Sequence, residues 1–236
     1  MKVCDFELKK CAFTIIFIVL VQATFAQGSF QNLDFEAAVV SPATPGYTPV
    51  GAQNPISAVD ALPGWTVYED DTLCTAVWGM PGLDITYVSL DYGQAFGRSS
   101  VQGTYSVGLS GWNLAPGYYT SASISQTGLI PDGTQSIQFL LENYSFLGDS
   151  GNLIVTLNGT RIPISVISTS GYLMTMAGDV SAFAGTTAEL KFTAPSVSEY
   201  GLDSIMFSPQ AVPEPSALSL FGLGLLGLGW QLHRKR

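Results

Sequence analysis

Short runs of β-branched and aromatic residues, cut by Gly, Pro, Asn and Asp, recur along the main body of the chain and constrain its fold more than any other feature. The clearest are "TYSVGLS" (104–110), "YTSASISQT" (119–127), "QSIQFLLENYSF" (135–146), "NLIVTLNG" (152–159), "RIPISVIST" (161–169), "AELKFTAP" (188–195) and "LDSIMFSP" (202–209). Such runs suit half-buried strands, the punctuation suits tight turns, and no stretch between residues 27 and 209 has the periodicity of an amphipathic helix. Charged residues make up only 11% of the chain against 25 glycines, a balance that favours strands and turns over salt-bridged helices. The expected fold class is all-β, a sandwich.

Alternation adds detail. Leu153, Val155 and Leu157 share one face, Asn158 and Gly159 supply a hairpin turn, and Ile162, Ile164 and Val166 share a face of the return strand. Leu190 and Phe192 point inward while Glu189, Lys191 and Thr193 point out. "SISQTGLIPDGTQSIQFLL" (123–141) reads as strand, Pro-Asp-Gly turn, strand. Residues 41–65 hold five prolines with little periodicity, so a long surface loop is expected there, ending where Trp65 starts a strand.

Both ends read as addresses. Lys2, Lys9 and Lys10 precede the apolar run "AFTIIFIVLV" (12–21), and Thr24 and Ala26 stand at the −3 and −1 positions of a cleavage site, so residues 1–26 are expected to be a signal peptide. Its removal takes Cys4 and Cys11 and leaves Cys74 without a disulfide partner, so the fold must stand on core burial. Between residues 27 and 212 the cations are Arg98, Arg161 and Lys191, against fifteen acidic residues (the total of eighteen less Asp5, Glu7 and Glu214), a balance near −12. Phosphate binding needs clustered Lys and Arg, so no nucleic-acid partner is expected.

The same region has no histidine, because His233 lies in the tail. Histidine-based nucleophilic catalysis and His-ligated zinc are thereby excluded from it. A hydrolase would need paired carboxylates, with Glu69, Asp70, Asp71 and Asp84 as candidates and Asp91 and Glu142 behind them. The "YEDD" cluster (68–71) is equally well a solvated turn. Sugar binding needs flat aromatic faces beside hydrogen-bonding groups. Trp65, Tyr68, Trp78, Trp112, Tyr118, Tyr119, Tyr144 and Tyr172 supply the stock. Trp65 follows Pro63 and Gly64 at a strand start and reads as core, whereas Trp78, Trp112, Tyr118 and Tyr119 stand in Gly-rich contexts and are the candidate ligand-binding residues.

Two resemblances follow from particular residues. "FQNLDFEAA", "LPGWTVYED", "SISQTGLIPDGTQSIQFLLEN", "LIVTLNGTRIP", "DVSAFAGTTAELKFTAP" and "GLDSIMFSP" follow in order the pattern of jelly-roll domains, so that residues 27–209 resemble galactose-binding and other carbohydrate-binding modules. That resemblance implies a jelly-roll β-sandwich and a structural calcium ion held by Glu36 and Asp203, with Asp34 as a lesser candidate. The tail, "VPEPSALSLFGLGLLGLGWQLHRKR", is similar to the PEP-CTERM sorting signal of exported bacterial proteins: Pro213, Glu214 and Pro215, an apolar segment, then Arg234, Lys235 and Arg236. The resemblance implies recognition by the membrane protease exosortase, which removes the tail on the way to the cell surface or an exopolysaccharide matrix. Residues 210–236 are thus expected to carry a short transmembrane helix whose basic end stays in the cytoplasm. Its G-x-G-x-x-G spacing (Gly222, Gly224, Gly227) is no dinucleotide loop, since no acidic residue follows to hold a ribose.

The sequence thus points to an exported, non-catalytic β-sandwich, glycan-binding through aromatic residues, with the export machinery, exosortase, the membrane and a polysaccharide as partners. A carboxylate-based glycoside-active enzyme and a structural module with no small ligand stand as alternatives.

Overall fold

The computed structural model describes residues 30–40, 55–79, 86–93, 99–111, 121–144 and 153–212. Fourteen strands are seen there: β1 (Pro55–Ser57), β2 (Thr66–Glu69), β3 (Thr72–Cys74), β4 (Ala76–Gly79), β5 (Thr86–Tyr92), β6 (Tyr105–Gly111), β7 (Ala122–Leu129), β8 (Ser136–Asn143), β9 (Ile154–Leu157), β10 (Thr160–Ile162), β11 (Ile164–Ser170), β12 (Leu173–Asp179), β13 (Thr187–Ala194) and β14 (Glu199–Ser208). Among the described residues helix is confined to α1 (Ala58–Ala61) and a 3₁₀ turn at Ser181–Phe183.

The strands form two sheets. One has eight strands in the order β1-β4-β5-β6-β14-β8-β12-β11, the other six in the order β10-β9-β13-β7-β2-β3. All pairs are antiparallel except β4 with β5. From β7 to β14 the chain changes sheet at every connection except the β9–β10 and β11–β12 hairpins, so most neighbours in sequence face each other across the core rather than pair. That crossing pattern makes the domain a jelly-roll β-sandwich.

Turn chemistry explains several connections. Asn158 and Gly159 both take positive φ (47° and 75°), which a two-residue hairpin between β9 and β10 requires. Asp70 and Asp71 do the same (49° and 62°) between β2 and β3, so the "YEDD" cluster is a tight hairpin turn. The Pro-Asp-Gly turn carries the chain from β7 in one sheet to β8 in the other, with Thr134 Oγ donating to the Pro131 carbonyl at 2.7 Å.

Three expectations are corrected. The return strand after Gly159 is not one strand. Pro163, which lacks an N–H to donate, ends β10, and the chain crosses to begin β11 in the opposite sheet. The segment before Trp65 is not all surface loop, because Ala58, Ala61 and Leu62 are buried in the core behind β1 and α1. Trp65 stands just before β2 rather than in it.

The core is held by a chain of rings. Phe35 lies 5.7 Å from Trp65, Trp65 lies 6.3 Å from Phe192 on β13, and Phe192 meets Phe139 on β8 edge-to-face at 5.2 Å. These contacts run from the N-terminal turn through one sheet to the other. Trp65 also donates its indole N–H to the Asn32 carbonyl at 3.0 Å, so its one polar atom is satisfied in the core. Phe192→Ala should therefore destabilise the domain by about 3–5 kcal/mol, read from denaturant unfolding, whereas Thr193→Ala on the opposite face should stay within about 0.5 kcal/mol.

Candidate functional site

The outer face of the eight-stranded sheet carries one row of residues that crosses every strand. Reading the register across gives Pro55, Trp78, Ser89, Gly108, Gly201, Glu142, Leu173 and Ser170. Directly opposed residues put their side chains on the same face. Trp78 therefore stands at one end of the row and Glu142 near the other, four strand spacings or about 19 Å apart. Trp78 is half-buried, and Glu142 is half-buried with its carboxylate accepting from the Tyr144 hydroxyl. Tyr172, 89% exposed, sits in the β11–β12 hairpin beside Ser170 and Leu173.

Between these ends the row narrows to glycine. A Cβ on Gly108 would strike Ser89 Oγ and come within 2.8 Å of Asp91 Oδ2, and one on Gly201 would come within 3.0 Å of Val101 and Tyr144. Glycine at both positions lets the hydroxyls and carboxylates of the neighbouring strands close over the backbone. Ser89 Oγ donates to Asp91 Oδ1 at 2.5 Å, and Tyr87 Oη donates to Glu199 Oε1 at 2.5 Å across Ser110. Ser89, Asp91, Ser106, Ser110, Glu199 and Asp203 are all buried on this face. The centre of the row is thus closed and polar, and its ends are open.

Loop 99–105 lies over that centre, and two carboxylates hold it. Phe35, fully buried at φ 57°, anchors the turn that presents Glu36, and the Leu33 carbonyl accepts from the Ile205 N–H at 2.9 Å, tying that turn to β14. Glu36 Oε1 accepts from the N–H groups of Thr104 (2.7 Å) and Tyr105 (3.1 Å). Asp203, 1% exposed, accepts from Gln102 N–H at 2.9 Å and Ser204 N–H at 2.5 Å, where β14 breaks register and Ser204 adopts φ 50°. The Ser204 hydroxyl donates to Gln102 Oε1 at 2.5 Å, closing the clamp. Burial lifts the Asp203 carboxyl to about 7, and the Glu36 charge adds to that rise against the opposing pull of the backbone N–H groups.

The residues expected from sequence fall into three groups. Glu36 and Asp203 are brought together on one loop although 167 positions apart, but Asp34 points elsewhere: it is exposed and its Oδ1 faces the Glu36 N–H at 3.4 Å. Among the described residues no group of three or more His, Cys, Asp and Glu side chains could hold a metal ion. Glu36 Oε1 and both Asp203 carboxylate oxygens accept from backbone N–H groups, so the two expected calcium ligands serve here as hydrogen-bond acceptors that hold loop 99–105. Trp78 is on the row. Trp112, Tyr118, Tyr119 and Asp84, the signal peptide and the sorting residues Pro213, Glu214, Pro215, Arg234, Lys235 and Arg236 lie outside the described residues. Glu142, Tyr144 and Tyr172 take a larger part than their sequence suggested, and Ser89, Gly108 and Gly201 were missed. Their signal was the strict alternation in "TYVSLDY", "YSVGLSG" and "EYGLD", where small and polar residues alternate with core residues.

Of the carboxylates expected for hydrolysis, Asp84 lies outside the described residues, and Glu69, Asp70 and Asp71 fall at the β2–β3 hairpin. Asp91 on β5 and Glu142 on β8 are three strand spacings apart, about 14 Å, against the ~5–10 Å that glycosidase chemistry requires. Asp71 is exposed and ion-paired with Lys191 at 3.1 Å, while the Lys191 ammonium also lies 5.0 Å from the Tyr68 ring centre, so this cluster braces the β2–β3 turn.

Comparison with known proteins places the chain by its tail and its architecture. Its architecture is that of an all-β jelly-roll sandwich. Similar solved structures include the carbohydrate-binding module TmCBM61 in complex with β-1,4-galactotriose (12% identity, TM-score 0.34, covering 78% of this chain and 100% of that one). A family 11 carbohydrate-binding module from Clostridium thermocellum in complex with a β-1,3-1,4-mixed-linked tetrasaccharide also matches (13% identity, TM-score 0.31, covering 64% and 92%). So does the enzymatically active domain of bacteriophage CBA120 tailspike protein 4 (15% identity, TM-score 0.34), of which this chain spans only 19%. No curated protein matches. Residues 211–235 match the PEP-CTERM protein-sorting motif. The chain therefore carries that motif at its C-terminal end, the mark of a protein sorted for export.

The Asp203 carboxyl has an acidity consequence. Its folded value of about 7 exceeds its ordinary value of 3.8, so the folded state binds the extra proton, and this group's contribution to stability is fully present below that ordinary value and is lost as pH rises through the window. The expected slope is up to about 1.4 kcal/mol per pH unit between pH ~4 and ~7. Asp203→Asn should flatten this part of the profile in thermal unfolding measured at several pH values.

Proposed function

We propose that this is an exported, non-catalytic saccharide-binding protein that engages a glycan chain along the outer face of the eight-stranded sheet. The observation that carries the reading is the shared row: Trp78 at one end and the Glu142–Tyr144 pair at the other, with exposed Tyr172 beyond. An indole face stacks against the C–H face of a pyranose, and a carboxylate held by a phenol accepts directionally from sugar hydroxyls. The separation suits an oligosaccharide better than a monosaccharide. The acidic balance of the body favours neutral sugars over anionic ones.

Export is the second half of the reading. The signal peptide would carry the chain across the inner membrane, the apolar tail would hold it there, and an exosortase-type protease would remove the tail at Pro213, Glu214 and Pro215 before release to the surface or matrix. The sorting-motif match supports this order. A calcium ion between Glu36 and Asp203 would steady loop 99–105 over the centre of the row by neutralising two adjacent negative charges.

Each part has its own measurement. In a polysaccharide binding screen, Trp78→Ala and Glu142→Gln should each weaken binding at least tenfold while Val59→Ala, at an exposed site elsewhere, leaves it unchanged. Binding untouched by both would remove the row as the site, and hydrolysis abolished by Glu142→Gln would make the protein an enzyme. Calcium should raise the midpoint of thermal unfolding in the native protein and not in Glu36→Gln.

A further inference from the structure

Among the described residues, β11 is the longest of the four strands that end the two sheets. Among the described residues β11 ends the sheet order and pairs only with β12, which leaves the N–H and C=O groups of its outer edge facing away from that neighbour. Natural sheets blunt such edges with charge, proline or brevity. β1 is three residues long and begins with Pro55, β3 is three residues long and follows Asp70 and Asp71, and β10 is three residues long and carries exposed Arg161. β11 runs for seven residues, "ISVISTS", and from Ile162 to Gly178 the chain holds no charged side chain, in a protein with eighteen acidic residues. Val166 is 50% exposed, and Ser165, Ser168, Thr169 and Ser170 are exposed. The register irregularity at Ile167 bends the strand but leaves a run of ladder open on each side of it.

The sandwich is also open beside this edge. A cavity of about 570 Å³ enters between the sheets there, lined by Phe139, Leu141, Leu153, Ile164, Met174 and Met176. Arg161 and Asn143 add polar groups to this otherwise apolar lining, which Ile164 and Val166 of β11 share.

We propose that β11 is the interface between two copies of this chain, pairing antiparallel with the partner's β11 across a two-fold axis. The occupant of such an edge must be an extended strand, because only a strand offers a matching ladder of N–H and C=O groups. Two acidic molecules repel over most of their surfaces, so self-association is least opposed where both partners are uncharged, and β11 meets that condition on both sides of the join. Antiparallel self-pairing is isologous and closes at two. Seven-residue strands with their flanking hairpins bury little area, which sets a micromolar rather than a nanomolar association. The join extends the eight-stranded sheet and leaves both saccharide rows on the same side, a consequence that rests on the reading given above.

The experiment is sedimentation velocity of the full chain in density-matched detergent across the micromolar range, with circular dichroism and thermal unfolding on each variant. The native protein should double in protein mass as concentration rises. Val166→Lys and Thr169→Lys, each placing like charges at the join, should remain monomeric with unfolding midpoints close to native, and Val59→Lys should still dimerise. A native protein that stays monomeric throughout overturns the proposal, as does a dimer that persists in both edge variants or association that runs past two. If one lysine variant fails to fold, the other decides.

Discussion

The ring chain Phe35–Trp65–Phe192–Phe139 is the contact on which the rest of the molecule depends, because it runs unbroken from the N-terminal turn through one sheet to the other. Its effect reaches the surface through geometry. Burial of Phe35 in a left-handed backbone conformation fixes the turn, and the turn's next residue, Glu36, is thereby presented to loop 99–105. A domain with no disulfide among its described residues needs such a chain, since hydrophobic burial is what stabilises it.

Loop 99–105 shows how a closed polar centre is kept. Val101 over Gly201 excludes bulk, Glu36 and Asp203 hold the loop from two sides, and Gln102 is gripped both by Asp203 and by the Ser204 hydroxyl. Burying the Asp203 carboxylate beside the exposed Glu36 costs energy that hydrogen bonds from backbone amides offset in part. The residual cost appears as the lifted acidity of Asp203 and marks this clamp as the place where a proton or a cation has the greatest leverage on the fold.

The two faces of the sandwich are unequal. The six-stranded sheet shows its outer face with Lys191 tied to Asp71 and stacked near Tyr68, a self-satisfied surface. The eight-stranded sheet instead concentrates acids, hydroxyls and glycines on its outer face, with an aromatic at one end and phenols at the other. Glycine in the middle of a strand weakens it by losing side-chain packing. The two glycines opposed on β6 and β14 instead leave room for Ser89 and Asp91 on one side and for Val101 and Tyr144 on the other.

Sequence by itself determined the all-β class, the strands β6, β7, β8, β9, β13 and β14, the Asn158–Gly159 hairpin, the inward Leu190 and Phe192, and the sorting tail, because each depends on local periodicity, turn chemistry or a contiguous motif. It also paired Glu36 with Asp203, through resemblance rather than spacing. It left unread the split at Pro163, the burial of Ala61 and Leu62, and strands β4, β5 and β12, whose short or mixed patterns compete with loop readings. Only the tertiary structure decided that Trp78, Ser89, Gly108, Gly201 and Glu142 form one row. Register across strands far apart in sequence is set by sheet order, and sheet order follows from which hydrophobic faces meet across the core, a choice that no single strand's residues contain.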